Sequence, residues 1–128
     1  MTNEKFEMIV EDVIAGIKRV LQNKAREYAS KEDRLHNFIV AGNFIEETKE
    51  KALFGMALKH IVSVRDIVLK WERARVLPSE NILEEKIGDT INYMILLKAC
   101  FLERIHEQQE RLKRHKLQEE INEEKERS

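Results

Sequence analysis

This chain is poor in breakers and in cross-links. It has one cysteine, one proline and four glycines in 128 residues. With Cys100 alone, no intrachain disulfide can form, which excludes a disulfide-stapled domain. Cys100 lies in an apolar run and reads as a buried structural thiol rather than a nucleophile. No apolar run approaches the roughly 20 residues of a membrane span, so no membrane role is expected. The start, Met1-Thr2-Asn3-Glu4-Lys5, is polar and no apolar segment follows, so a signal peptide is not expected. A cytoplasmic protein is the resulting expectation. A charge surplus is missing too. Charged residues make up 37% of the chain, yet the formal net charge is -1. That balance exerts no general pull on nucleic acid or anionic lipid.

What is present is Glu, Lys, Leu and Ile, with little β-branched alternation. With so few breakers, this predicts an all-α fold. The length suits one domain with one core. Three long helices are expected, joined in one place by a short helix. The first runs from about Asn3, a candidate cap, to Tyr28, with Phe6, Ile9, Val10, Val13, Ile14, Ile17, Val20 and Leu21 at three-four spacing. Gly16 within it suggests close helix contact. The periodicity breaks from Lys24 to Phe38, where Ser30 and Asp33 can cap a short turn. Tyr28, Leu35 and Phe38 would tie this connector down, and Lys24, Arg34, His36 and Asn37 would reach a cleft. Asn43 with Glu46 resembles a capping box opening a second helix that ends near Arg73 or Ala74. That helix is apolar on most of its circumference, the mark of a central helix. Pro78 and Ser79 open the third, with Leu83, Ile87, Ile91, Met94, Leu97, Phe101 and Ile105 as its core stripe. Gly88 in its interior suggests close packing or ligand approach. Residues 1–105 form the expected bundle. From 106 to 128 a charged extension is expected, helical or partly disordered.

The chemistry concentrates in Glu84-Glu85-Lys86-Ile87-Gly88-Asp89-Thr90-Ile91-Asn92-Tyr93. Glu85, Asp89 and Asn92 stand four and three apart, so they share one helix face. Two carboxylates one turn apart are hard oxygen ligands of the kind Mg²⁺ takes. The same spacing also describes the wet flank of any amphipathic helix. Lys59, Ser63, Asp66 and Lys70 share a face of the second helix and would join this pocket if the two faces meet. His60, one residue aside, reads as a surface or capped residue.

These residues carry a resemblance. Asp89-Thr90-Ile91-Asn92-Tyr93 with Glu85 looks like the last motif of the MazG-like all-α nucleoside triphosphate pyrophosphohydrolases. Lys24 to Phe38 and Lys59-His60-Ile61-Val62-Ser63-Val64-Arg65-Asp66 resemble a phage and prophage branch, akin to nucleotide-modification-associated domains. The resemblance covers about residues 15 to 105. It implies a phage-type nucleotide-binding protein acting as a metal-dependent NTP or dNTP pyrophosphohydrolase. It implies Mg²⁺ held by Asp66, Glu85 and Asp89, with Glu85 and Asp89 catalytic. Lys24, Lys59, Asn37, Ser63 and Asn92 would bind the nucleotide, and Tyr28 or Phe38 would stack on its base. It also implies a dimer or tetramer, a bundle completed by oligomerisation. Two departures stand out: the E-x-x-E acids of such enzymes are here Lys59, Ser63 and Asp66, and Lys86 replaces an acid three before Asp89. Exchanging acids for lysine weakens metal binding and strengthens direct phosphate binding. The alternatives are a non-catalytic binder of a nucleotide or nucleotide signal in phage counter-defence, and a small helical phage protein that inhibits a host protein.

Overall fold

A computed structural model describes residues 1–28 (Tyr28 by its backbone alone) and 33–128. Four helices and no strand occur among the described residues: α1 Asn3–Tyr28, α2 His36–Phe44, α3 Lys49–Ala74 and α4 Glu80–Arg127. The chain is all-α, as its composition requires. No helix is long and apolar enough to cross a membrane among the described residues.

The ends of the helices follow local chemistry. Thr2, rather than Asn3, caps α1, its hydroxyl accepting from the Lys5 N–H at 3.3 Å. The Asp33 carboxylate accepts from the Leu35 N–H at 2.8 Å and leads into α2. Ser30 lies outside the described residues. The expected box at Asn43 and Glu46 does not form. Asn43 belongs to α2, Glu46 turns left-handed at φ 57, and Thr48 caps α3 through the Lys51 N–H. A turn that tight leaves Glu46 no helical φ with which to reach back to Asn43. Ser79 caps α4 as the sequence suggests, accepting from the Ile82 N–H at 3.2 Å.

α3 and α4 run antiparallel. Three side-chain pairs mark their register: Lys49 with Glu103, Glu50 with Arg104, and His60 with Asp89. The Glu50–Arg104 pair has two N···O contacts of 2.9 and 3.3 Å, and Glu50 is almost wholly buried. The arginine bond holds the Glu50 carboxyl below its ordinary value. Between these pairs lies a small core of Leu35, Leu53 and Cys100, against which Phe38, Ile39, Tyr93, Leu96, Leu97 and Ala99 pack. Cys100 is fully buried, and burial raises its thiol pKa.

The core is on the opposite side of α4 from the one the apolar stripe marks. Of that stripe only Leu97 packs against the core cluster; Ile87, Met94, Phe101 and Ile105 are exposed. α3 is likewise not central within one chain, since Phe54, Leu58, Val62, Val68 and Trp71 are exposed. The first half of α1 packs on nothing among the described residues, and Phe6 is 58% exposed. Neither glycine singled out in the sequence marks a close approach. A Cβ at Gly88 would meet nothing within 4 Å, and one at Gly16 would meet only the ends of Arg19 and Glu84 at 3.7 Å. Past Arg104, α4 continues to Arg127 with every residue but Glu110 exposed.

The accessible surface is 10734 Å² for 15.2 kDa. A compact monomer of that mass exposes about 7,100 Å². The difference, about 3,600 Å², measures how extended the single chain is.

Candidate functional site

α1, the segment leading into α2, and α4 enclose an open groove. Its larger part, ≈ 370 Å³, is lined by Leu21, Asp33, Arg34, Ile95, Leu96 and Glu103, among others. It continues into a smaller hollow of ≈ 80 Å³, where Lys24, Asn37 and Phe38 join Asp33, Arg34 and Leu96. The larger part is at the lower end of the size range of small-molecule sites. The connector is pinned to α1 by Arg34, whose Nη2 donates to the Leu21 carbonyl at 2.9 Å. The apolar anchors Leu35 and Phe38 therefore seat the connector, and between them Asn37 lines the smaller hollow, whereas His36, expected to reach a cleft, is exposed and does not line the groove.

Phe38 links this groove to a second cluster. Its ring meets Tyr93 edge-on at 6.5 Å between centroids. Tyr93 stacks on His60 at 4.9 Å, and His60 Nδ1 lies 3.5 Å from Asp89 Oδ2. Burial, and then the Asp89 carboxylate, raise the Tyr93 pKa. Beside them Asn92 is buried, and its Oδ1 has no hydrogen-bond partner among the described residues. A buried acceptor left unmade costs about 1–3 kcal/mol.

The site residues read from the sequence are divided by this geometry. Lys24, Asn37 and Phe38 share one hollow. Asp89 faces α3, as does the aromatic Tyr93, and Asn92 is buried. Lys59, Ser63 and Asp66 do not meet Asp89. Lys59 and Asp66 are exposed, and the Ser63 hydroxyl donates to the Lys59 carbonyl of its own helix at 3.0 Å. Glu85 is over half exposed and pairs with neighbouring Lys86 at 3.0 Å. The side chain of Tyr28 lies outside the described residues.

His60 takes the place expected of Lys59 and Asp66. One residue step turns about 100° around a helix, enough to move from the wet face to the packed one. The signal was legible: Lys49, Leu53, Ala57 and His60 follow four-four-three spacing, and the first three are buried. Arg34, Asp33 and Glu103 also line the groove. Glu103, on the neighbouring helix, carries no sequence cue for this role.

Among the described residues, no group of three or more His, Cys, Asp or Glu side chains converges to hold a metal ion. Asp66, Glu85 and Asp89 thus do not form a ligand set within one chain, and Asp89 is already engaged by His60. The residues present do not fit the Mg²⁺ that the resemblance implies.

No protein-family model matches this sequence. No curated protein and no solved structure gives a significant match.

Proposed function

We propose that this protein binds a nucleotide in the groove between α1, α2 and α4. The observation that carries this reading is the convergence of Lys24, Arg34, Asn37 and Phe38 on one hollow. Two cations suit phosphate oxygens, Arg34 with a bidentate fork and Lys24 as a point charge. The Asn37 amide can donate and accept at once. Phe38 offers a ring for base stacking, a contact worth about 1–3 kcal/mol. The Asp33 and Glu103 carboxylates suit ribose hydroxyls or a base amino group. Mg²⁺-dependent pyrophosphohydrolysis, as in MazG-like enzymes, is the second reading. It is favoured by the proximity of Asp89 and His60 to the aromatic cluster, but needs metal donors beyond those one chain assembles. We also propose that the protein is a homo-oligomer, a reading supported by its excess of about 3,600 Å² of surface over a compact monomer.

The test is a thermal-shift screen over NTPs and dNTPs, run beside a pyrophosphate- and phosphate-release assay with Mg²⁺ or Mn²⁺. A nucleotide that raises Tm in the wild type and fails to do so in Lys24→Ala and Phe38→Ala supports the groove. No shift with any nucleotide at millimolar concentration removes it. Metal-dependent turnover that is lost in Asp89→Ala establishes the hydrolase.

A further inference from the structure

α4 is apolar on two sides, and a single chain uses only one. Its inner side carries Asn92, Tyr93, Leu96 and Cys100. Its outer side carries Leu83, Ile87, Met94, Phe101, Ile105 and Leu112, at spacings of four, seven, seven, four and seven. That is a seam of coiled-coil type, one continuous stripe along about 45 Å of helix. Five of these six side chains are exposed: Ile87 and Met94 by over a third, Phe101, Ile105 and Leu112 by half or more. A stripe of this length and exposure marks an interaction surface.

The charges along α4 identify the partner. Its first part is acidic, with Glu80, Glu84, Glu85 and Asp89 against Lys86 alone. The stretch just beyond the bundle, residues 105–116, is basic, with Arg111, Lys113, Arg114 and Lys116 against Glu107 and Glu110, and the last twelve residues turn acidic again. An antiparallel pairing lays each acidic part on the other copy's basic part, twice, by symmetry.

We propose that two copies of this chain associate through antiparallel α4 helices, with Phe101 of each opposite Met94 of the other. This names the interface of the homo-oligomer proposed above and rests on that reading. In this register Leu83 lies opposite Leu112, and Glu84 stands beside Lys113. It accounts for a feature nothing within one chain explains: α4 runs well past its last contact with α3 at Arg104. Residues 105–116 then lie on the start of the other copy's α4. A stable interface takes about 800 Å² from each partner, well within the excess surface of about 3,600 Å². The groove stays open, because Leu96 and Glu103 lie on the inner side of α4 with Cys100.

The experiment is light scattering coupled to size exclusion at about 50 µM, with far-UV circular dichroism on each variant. The wild type is expected at about twice 15.2 kDa or a multiple of it. Phe101→Glu is expected at a lower mass with unchanged helicity, since the ring is 54% exposed and leaves the core intact. Glu84→Lys and Lys113→Glu each weaken association about tenfold, and the double exchange returns it to within about twofold of wild type. A wild-type monomer overturns both the oligomer and this interface. An oligomer whose mass is unmoved by Phe101→Glu overturns the interface alone, as does a double exchange that fails to rescue.

Discussion

Two glycines inside helices, Gly42 and Gly55, allow one substitution, Gly→Ala, to be read in two directions. Gly42 is buried in the last turn of α2, and its carbonyl accepts from the Glu47 N–H at 2.8 Å. The chain folds back so closely that a Cβ there would lie 2.9 Å from Glu47 O, 2.9 Å from Thr48 C and 3.0 Å from Lys49 N. All three are backbone atoms and cannot rotate away. The strain would pass into Lys49 and Glu50, which hold α4 through Glu103 and Arg104. Overpacking of this kind costs about 2–3 kcal/mol, and the helix-propensity gain of alanine offsets about 1 kcal/mol of it. The net loss is about 1–2 kcal/mol. For a chain of this length, 1 kcal/mol shifts Tm by about 4 °C. Gly42→Ala should therefore melt about 4–8 °C below wild type in circular dichroism at 222 nm and fixed protein concentration. Gly55 in α3 is the control. Its Cβ would meet nothing within 4 Å, so Gly55→Ala should gain up to about 1 kcal/mol and melt about 4 °C higher. A Gly42→Ala protein as stable as wild type would refute the close corner between α2 and α3.

Other outcomes follow from single contacts. The Glu50 carboxyl is held below its ordinary value of 4.5 by Arg104, so its stabilising effect is complete above that value and lost as pH falls through the lowered one. Melting temperature should thus drop more steeply below pH 4.5 in wild type than in Glu50→Gln, and parallel curves would count against the pair. Arg104→Ala, which strands Glu50, should cost about 1.5–3 kcal/mol in urea unfolding. Ser79→Ala and Thr48→Ala should each cost about 1 kcal/mol through loss of a cap, read in the same assay. Arg75, at φ 55 after α3, should tolerate glycine with a gain of about 0.5–1 kcal/mol, less whatever its contact with the Trp71 ring at 5.3 Å contributes. Cys100 should react with a thiol reagent only at the rate of unfolding, and fast labelling of the native protein would contradict its burial.

Helices were legible in the sequence because their causes are local. Scarce glycine and proline, three-four apolar spacing and the Ser79 cap depend only on near neighbours, and α1, α3 and α4 follow from them. The buried thiol was legible for a similar reason, as a small apolar group within an apolar run. Part of the groove was legible too, since Leu35 and Phe38 had to seat the connector that carries Asn37. What the spacing left open was which face of each helix turns inward. α3 and α4 carry more apolar residues than one chain can bury, so periodicity alone gave no unique inner side. The pairing of Lys49 with Glu103 and Glu50 with Arg104 sets the rotation of both helices. That rotation brings His60, not Lys59 or Asp66, to Asp89, and leaves the stripe through Phe101 outside. Sequence by itself determined the elements, because hydrogen bonding within a helix is local. Tertiary structure decided the faces, because the side a helix buries depends on partners far along the chain.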